Sequence, residues 1–184
     1  MAASASEPPP RPLPEPARAP EPARASARER LAARGTALAL LPLRIFLGVT
    51  FVYAGLDKLT DPAFLAASGG GSIGDLMRGV RDTSAIPALV DGALTSPVLF
   101  GTLIAVGELL VGLGTLVGLW GRVAAAGGAL ISLSLWLTVS WQVSPYYYGN
   151  DLAYLMAWLP LVLAGSGQWS ADSSLRARRS RRIA

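Results

Sequence analysis

The stretch PVLFGTLIAVGELLVGLGTLVGL, residues 97–119, is 23 residues long and carries a single charge, Glu108. About 20 mainly apolar residues are enough to cross a hydrocarbon core of about 30 Å. Because unpaired backbone groups are costly in lipid, such a segment must be helical. We therefore predict a membrane-spanning helix over 97–119.

Three other apolar segments surround this one. Residues 36–56 carry one charge, Arg44, residues 123–143 carry none, and residues 148–167 form a shorter apolar run. The chain is 52% hydrophobic, with a mean hydropathy of +0.43, which excludes an ordinary soluble domain. The sequence thus predicts an all-α fold, a four-helix transmembrane bundle over residues 36–169.

The two tails differ from the apolar part. Residues 1–35 contain eight prolines and six arginines and are predicted to be disordered, without a cleaved signal peptide; residues 170–184 form a second basic tail. The positive-inside rule places both termini in the cytoplasm. Fifteen Arg against one Lys suggest a bacterial source, so we expect a multi-pass protein of the plasma membrane, embedded in the lipid bilayer. The +4 charge lies mostly in the tails and indicates topology, not nucleic-acid binding.

The long connection at residues 57–96 then faces outward. Its residues Ile73, Leu76, Met77 and Val80 have the i, i+3, i+4, i+7 spacing of a helical stripe, and Ser72 precedes them as a capping residue. A weaker stripe covers Ile86, Leu89 and Val90. We predict short amphipathic helices on the outer surface; the alternative is a partly ordered loop.

The first two apolar segments each have a face of small residues with one or two charges in it. The spacing is 4, 3, 4, 3, which keeps five residues on one side of a helix. The faces comprise Arg44, Gly48, Phe51, Gly55 and Lys58, and Gly101, Ala105, Glu108, Gly112 and Thr115. Small residues allow close helix contact in lipid. Antiparallel packing predicts an Arg44–Glu108 pair, either structural or lining a polar cavity, with Lys58 extending toward the membrane surface.

The last two segments carry further polar residues. In the third, Gly127, Ile131, Ser134, Thr138 and Trp141 repeat the spacing, and Ser134 and Thr138 are expected to hydrogen-bond between helices or to line a cavity. In SPYYYGND, residues 144–151, Asn150 is a candidate N-cap, and Asp151 suits the positive end of a helix dipole. The three tyrosines fit an interfacial belt.

The chain contains no cysteine and no histidine. Haem, Rieske and most zinc or copper sites depend on these side chains, so no metal site is expected. Any electron transfer would use a bound organic molecule such as a quinone, or a partner protein.

Several stretches resemble the DoxX family, in particular its DoxD-like branch, the small membrane subunit of thiosulfate:quinone oxidoreductases. They are RIFLGVTFVYAGLDKL (44–59), GELLVGLGTLVGL (107–119) and PYYYGNDLAYLMAWLPLVLAGSGQWSAD (145–172). The resemblance implies a four-helix membrane protein with both ends inside. It also implies a role, with a second subunit, in passing electrons from a sulfur compound to the quinone pool of a respiratory chain.

Two functions follow as hypotheses. In the first, the chain is a quinone-linked oxidoreductase subunit: Arg44 donates to a quinone oxygen, Glu108 carries a proton, and Asp151 links the site to outer water. Lys58 completes the candidate polar site, and the candidate cavity lining is Phe51, Trp141, Tyr148 and Trp158. In the second, it is a non-catalytic anchor or accessory subunit that docks a redox enzyme or respiratory complex. A small-solute transporter is less expected without an internal repeat, and a homo-oligomer remains open.

Overall fold

The computed structural model describes residues 35, 38–118 and 120–165, and this part of the chain is helical without a β-strand. From Leu41 onward, the described residues form six α-helices that follow one another, two of them short. They are α1 (Leu41–Thr60), α2 (Ile73–Val80), α3 (Pro87–Leu94), α4 (Pro97–Val117), α5 (Gly121–Leu135) and α6 (Asn150–Ala164). The predicted tails, 1–35 and 170–184, lie outside the described residues.

The long helices differ from the predicted ranges at their ends. The first, α1, is shifted toward the C-terminus of 36–56, with Pro42 in its first turn, where a proline's fixed φ suits a helix start. The second, α4, ends at Val117 because Gly118 has φ +70°, the left-handed conformation that terminates helices. The third, α5, continues as a π-helical turn over Trp136–Ser140 and stops short of residue 143.

The two predicted small-residue faces pack against each other. The buried residues of α4 are the five of its predicted face, and four of the five on α1 are buried as well. A Cβ at Gly55 would lie 2.6 Å from the Ala105 carbonyl oxygen, and one at Gly112 would lie 2.6 Å from the Val52 nitrogen. Low residue numbers on α1 meet high numbers on α4, so the helices are antiparallel, as predicted.

The hydrophobic core lies where α5 and α6 meet α1. Phe51 and Trp158 pack edge to face with their ring centroids 4.9 Å apart, and both side chains are buried. The Trp158 ring occupies the space that a Cβ at Gly128 would fill, at 2.3 Å. Glycine at position 128 is therefore what allows α5 and α6 to approach each other.

The predicted amphipathic helices of the 57–96 connection are present as α2 and α3. The backbone N–H of Asp75 donates to the Ser72 hydroxyl at 3.2 Å, which confirms Ser72 as the N-cap of α2. By contrast, α6 begins at Asn150 itself and has Gly149 at its N-cap position, without a side-chain cap. The prediction that Asn150 is the N-cap is therefore wrong, because the helix begins one residue earlier than that role requires.

By length and composition, two helices of the described residues are able to cross a membrane. They are Pro97–Val117, with a mean hydropathy of 1.9, and Gly121–Ser140, with 1.7. Asn150–Ala164 is apolar but shorter. Many large apolar side chains are exposed, Leu103, Leu110 and Leu130 on these two helices among them. Such a surface is typical of membrane contact.

Candidate functional site

The buried carboxylate of α4 is paired with the lysine near the end of α1. Lys58 Nζ donates to Glu108 Oε2 at 2.8 Å, and the Glu108 side chain is 5% exposed. The same ammonium donates to the Ala54 carbonyl at 3.3 Å. The prediction that Lys58 extends toward the membrane surface is therefore wrong: its four-carbon side chain folds back toward Glu108, and its stem is partly buried.

The predicted Arg44–Glu108 pair is wrong. Arg44 Nε donates to the Thr115 carbonyl at 2.8 Å, and Nη2 donates to the Leu116 carbonyl at 2.7 Å. The reason is helix register, which places Arg44 beside the last turn of α4, while Glu108 lies more than one turn away along that helix. Arg44 therefore caps the negative C-terminal end of α4.

Asp151, in the first turn of α6, lies near this ion pair and forms no ion pair of its own with Lys58. Its carboxylate interacts electrostatically with Lys58 and with Glu108. Its Oδ2 atom also accepts a short hydrogen bond from the Ser140 hydroxyl. Three of the four polar residues singled out in the sequence thus lie at one end of the bundle. We name Lys58, Glu108, Asp151 and Ser140 the polar cluster.

A close backbone approach brings Ser140 to Asp151. A Cβ at Gly149 would lie 3.0 Å from the Ser140 Cβ, so the turn before α6 is able to pack directly on the π-helical turn. The π-helical turn also exposes the Leu137 carbonyl, which accepts from Ala85 N at 2.8 Å and from the Ser84 hydroxyl at 3.2 Å. Single π-helical turns are frequent at functional sites. No sequence pattern marked Ser140, because its contact depends on this irregular turn.

An apolar cavity of about 460 Å³ opens beside the polar cluster. It lies under α2 and α3, against the adjoining ends of α4 and α5, and Lys58 is its one charged lining residue. All four residues of the predicted α2 stripe line it, together with Leu89 and Val90 of the weaker stripe. The amphipathic faces therefore cover a cavity, a role that their periodicity did not reveal.

The two polar residues predicted on the third helix also line this cavity. Their hydroxyls do not bond between helices: Ser134 donates to the Ile131 carbonyl at 2.8 Å, and Thr138 donates to the Ser134 carbonyl at 2.7 Å. The predicted interhelical bonds are wrong, because a helical Ser or Thr finds its own preceding turn closer. The cavity wall is consequently apolar in character even at these positions.

The four aromatic residues predicted to line a quinone cavity do not line the cavity that the structure contains. Phe51 and Trp158 belong to the packed core, whereas Trp141 is half-exposed and in ring contact with Trp136. Tyr148 is 70% exposed and in contact with Tyr147. None of the four is among the residues that line the cavity under α2 and α3.

An exposed ion pair ties the helices that cover the cavity. Arg81, directly after α2, forms a bidentate contact with the Asp91 carboxylate of α3, including Nη2–Oδ2 at 2.9 Å. The guanidinium of Arg81 holds the pKa of Asp91 below its usual value. Charge therefore supplements apolar packing in holding α2 and α3 together.

Comparison with known proteins bears on the whole apolar part of the chain. No curated protein and no solved structure shows a significant match. The sequence model described as the TQO small subunit DoxD matches residues 39–183, most of the chain. This span includes α1 and α4, which supply the Lys58–Glu108 pair, and α6, which supplies Asp151. The chain belongs to the DoxD family, and it is a membrane protein of a family of oxidoreductase small subunits.

Proposed function

We propose that this chain is the quinone-binding membrane subunit of a thiosulfate:quinone oxidoreductase-like complex, and that the cavity under α2 and α3 holds the quinone. The observation that carries the proposal is the position of Lys58, which is paired with Glu108 and also forms the charged part of an apolar cavity wall. A quinone combines an apolar ring and tail with carbonyl oxygens that accept hydrogen bonds.

Lys58 has the donor that such a ligand requires. An ammonium group has three N–H donors, and among the described residues two acceptors are in contact with it, Glu108 Oε2 and the Ala54 carbonyl. One N–H is left for a carbonyl oxygen in the cavity. The role first considered for Arg44, donation to the quinone, thus passes to Lys58, because Arg44 donates to the Thr115 and Leu116 carbonyls in the last turn of α4.

The size and chemistry of the cavity also favour this ligand. Its volume of about 460 Å³ lies in the range of about 300–1,000 Å³ that small-molecule sites occupy. Aliphatic and aromatic side chains from α2, α3, α4 and α5 dominate the lining, with Lys58 of α1 as a polar anchor. This is the usual pattern of a site that binds an apolar ligand in one orientation.

The proposal includes a multi-pass topology in a bacterial plasma membrane, with four long helices crossing and both chain termini in the cytoplasm. The two helices that meet the length and composition criteria support it, as do the exposed apolar side chains. With 15 residues, α6 is about 22 Å long and shorter than the hydrocarbon core. The exposed tyrosines that precede it suit a position at the membrane boundary.

Binding of a short-chain ubiquinone analogue to the purified chain in nanodiscs tests the proposal. Ala93, on the cavity wall, is replaced by Phe to fill the cavity, and Ala88→Phe on the exposed side of the same helix is the matched control. We expect Ala93→Phe to weaken binding at least about tenfold, or about 1.4 kcal/mol, and Ala88→Phe to leave it unchanged. Equal affinity in both variants, or no saturable binding by the wild type, would refute the cavity as the quinone site.

The alternative function, a non-catalytic accessory subunit, predicts a different result in a second experiment. The chain is extracted gently from native membranes, and co-purifying proteins and thiosulfate-dependent quinone reduction are measured. A stoichiometric partner without any quinone binding by this chain would support a docking role. A partner preparation whose quinone reduction falls in Lys58→Met, with the complex intact, would support the quinone site.

A further inference from the structure

We propose that the cavity under α2 and α3 opens sideways into the membrane lipid, through a portal formed by Leu76, Leu89, Phe100 and Val139. The ring of the ligand lies at Lys58, and its long hydrocarbon chain leaves through this portal. The placement of the ligand rests on the proposed quinone function. The lipid-facing portal does not, because it follows from the exposure and the chemistry of the cavity rim.

The portal is the exposed part of the cavity lining. Four lining residues are exposed: Leu76 by 51%, Leu89 by 47%, Phe100 by 37% and Val139 by 48%. They come from α2, α3, α4 and the π-helical turn after α5, and all four are apolar. An apolar rim is unfavourable in water, whereas in hydrocarbon it carries no such cost. The opening that these residues surround therefore suits contact with lipid.

The charged residues of α2, α3 and the turn between them have no part in the cavity lining. Asp75 pairs with Arg78, and Arg81 pairs with Asp82 and Asp91, all at exposed positions. None of these residues is among those that line the cavity. Ion pairs with water on one side are typical of a solvated surface. The charged groups of this segment thus lie outside the cavity, and its rim is left apolar.

Contacts at both ends hold α2 and α3 on the bundle. Ile73, at the start of α2, packs so closely on α4 that a Cβ at Gly101 would lie 2.8 Å from its Cγ1 atom. Between α2 and α3, Ala85 N donates to the Leu137 carbonyl at 2.8 Å, and the Ser84 hydroxyl donates to it at 3.2 Å. An entrance made by lifting these helices would break all of these contacts. The portal requires no such movement, because its residues are already exposed.

The cavity has a charged inner end and an apolar opening. At the inner end, Lys58 Nζ lies 2.8 Å from Glu108 Oε2. On the wall formed by α4, Ile104 and then Phe100 lead away from this point. Phe100 and Glu108 are eight residues apart on α4, which is about 12 Å of helix. This polarity matches a ligand with a hydrogen-bonding ring at one end and a hydrocarbon chain at the other.

The volume of the cavity is too small for such a ligand as a whole. At about 30 Å³ for each group of the size of a water molecule, about 460 Å³ has room for about 15 such groups. A substituted benzoquinone ring occupies most of this space, so a chain of several isoprene units has to extend beyond it. The apolar portal is the route that the lining offers. The ligand is therefore a long-chain, lipid-soluble quinone that enters from the bilayer.

Spin labelling tests the portal without a quinone. The chain has no cysteine, so one introduced cysteine is the only attachment site for a nitroxide. We place the label at Val139→Cys and, separately, at Leu89→Cys, in nanodiscs of phosphatidylcholine. Collision rates are measured with oxygen, which concentrates in lipid, and with a water-soluble nickel chelate. The control is Asp82→Cys, whose native side chain is 86% exposed and charged.

We expect oxygen collisions to dominate at both portal positions and nickel collisions to dominate at position 82. Dominant nickel collisions at the two portal positions would overturn a lipid-facing portal, whatever the ligand is. Circular dichroism checks the fold of each labelled variant. If Val139→Cys misfolds, Leu89→Cys decides the result.

The position of the chain is tested with two ubiquinone analogues that share one ring, the first with a decyl chain and the second with a methyl group in its place. Val139→Trp narrows the portal, and Leu130→Trp, at an exposed position of α5 outside the cavity lining, is the matched control. We expect Val139→Trp to weaken binding of the decyl analogue at least about tenfold and to leave the methyl analogue unchanged. Leu130→Trp should change neither affinity.

Two results would overturn the placement of the chain: equal weakening of both analogues by Val139→Trp, or no change in either. The first would place Val139 against the ring, and the second would mean that the chain leaves elsewhere. Absence of saturable binding of both analogues by the wild type would refute the proposed function and the ligand's placement together. The spin-label measurement would then still decide the portal by itself.

Discussion

Lys58 Nζ lies 2.8 Å from Glu108 Oε2, so the only lysine of the chain is paired with the one acidic residue of α4. This contact joins the two helices that share the small-residue faces. It also places a charge on the wall of the apolar cavity. The structural and the proposed functional roles of the pair are therefore separable by substitution.

Replacing Lys58 by Met should destabilise the chain by about 1–3 kcal/mol, because the buried Glu108 carboxylate loses its principal donor. The double variant Lys58→Met, Glu108→Leu should recover most of this loss, since apolar side chains of similar size replace buried ion pairs at little cost. Thermal unfolding in detergent, followed by circular dichroism, measures both. A double variant no more stable than Lys58→Met would contradict the assignment of the loss to an unpaired charge.

The contact between α1 and α4 should be intolerant of a single methyl group at Gly55. Its Cβ would lie 2.6 Å from a backbone oxygen of α4, and neither backbone is able to yield without moving a helix. We expect Gly55→Ala to cost about 1–3 kcal/mol. The matched control is Gly79→Ala in α2, where a Cβ would meet nothing within 4 Å.

That control should be neutral or stabilising by about 0.5–1 kcal/mol, because alanine favours a helix more than glycine does. Unfolding midpoints of the two variants in the same detergent provide the comparison. Equal effects at the two positions would mean that close packing of α1 on α4 is not what limits position 55.

Arg44 should matter for stability and not for the site. Arg44→Met removes two hydrogen bonds to the carbonyls at the end of α4 and should cost about 1.5–3 kcal/mol, the scale for bonds to a charged group. Arg44 and Lys58 are 14 residues apart on one helix, about 21 Å. Affinity for the ubiquinone analogue should therefore be unchanged at a temperature where the variant is folded. A selective loss of binding without loss of stability would relocate the site to the Arg44 end.

The Arg81–Asp91 ion pair, which connects α2 and α3, should weaken at low pH. The pKa of Asp91 is lowered in the folded chain by Arg81, so its contribution to stability is present above the unfolded pKa and is lost as pH falls through the folded one. Both groups are exposed, so the effect is local. As pH falls, the α2 and α3 amides should lose protection, so that their hydrogen exchange slows less than the intrinsic exchange rate does. Asp91→Asn should be faster at neutral pH and should lack this additional acid response.

The amphipathic helices show how far periodicity reaches. The stripe Ile73, Leu76, Met77 and Val80 and the cap at Ser72 predicted α2 correctly, because both signals lie within one turn or two of chain. The same pattern did not distinguish a helix on the membrane surface from a helix that covers a cavity. Either environment accepts an apolar stripe of this width, and only the packing against α4 and the end of α5 distinguishes them.

The sequence alone determined an all-helical chain, the small-residue faces of α1 and α4, their antiparallel packing and the family. These features depend on spacing within single segments, where each turn of a helix fixes which side chains share a face. Only the tertiary structure decided which charges meet. Glycine-lined faces fit together at more than one offset, so a shift of 14 residues along α1, about four turns, separates the predicted Arg44–Glu108 pair from the Lys58–Glu108 pair that is observed. The contact of Ser140 with Asp151 depends further on a π-helical turn and on the absence of a side chain at Gly149, and spacing along the chain predicts neither.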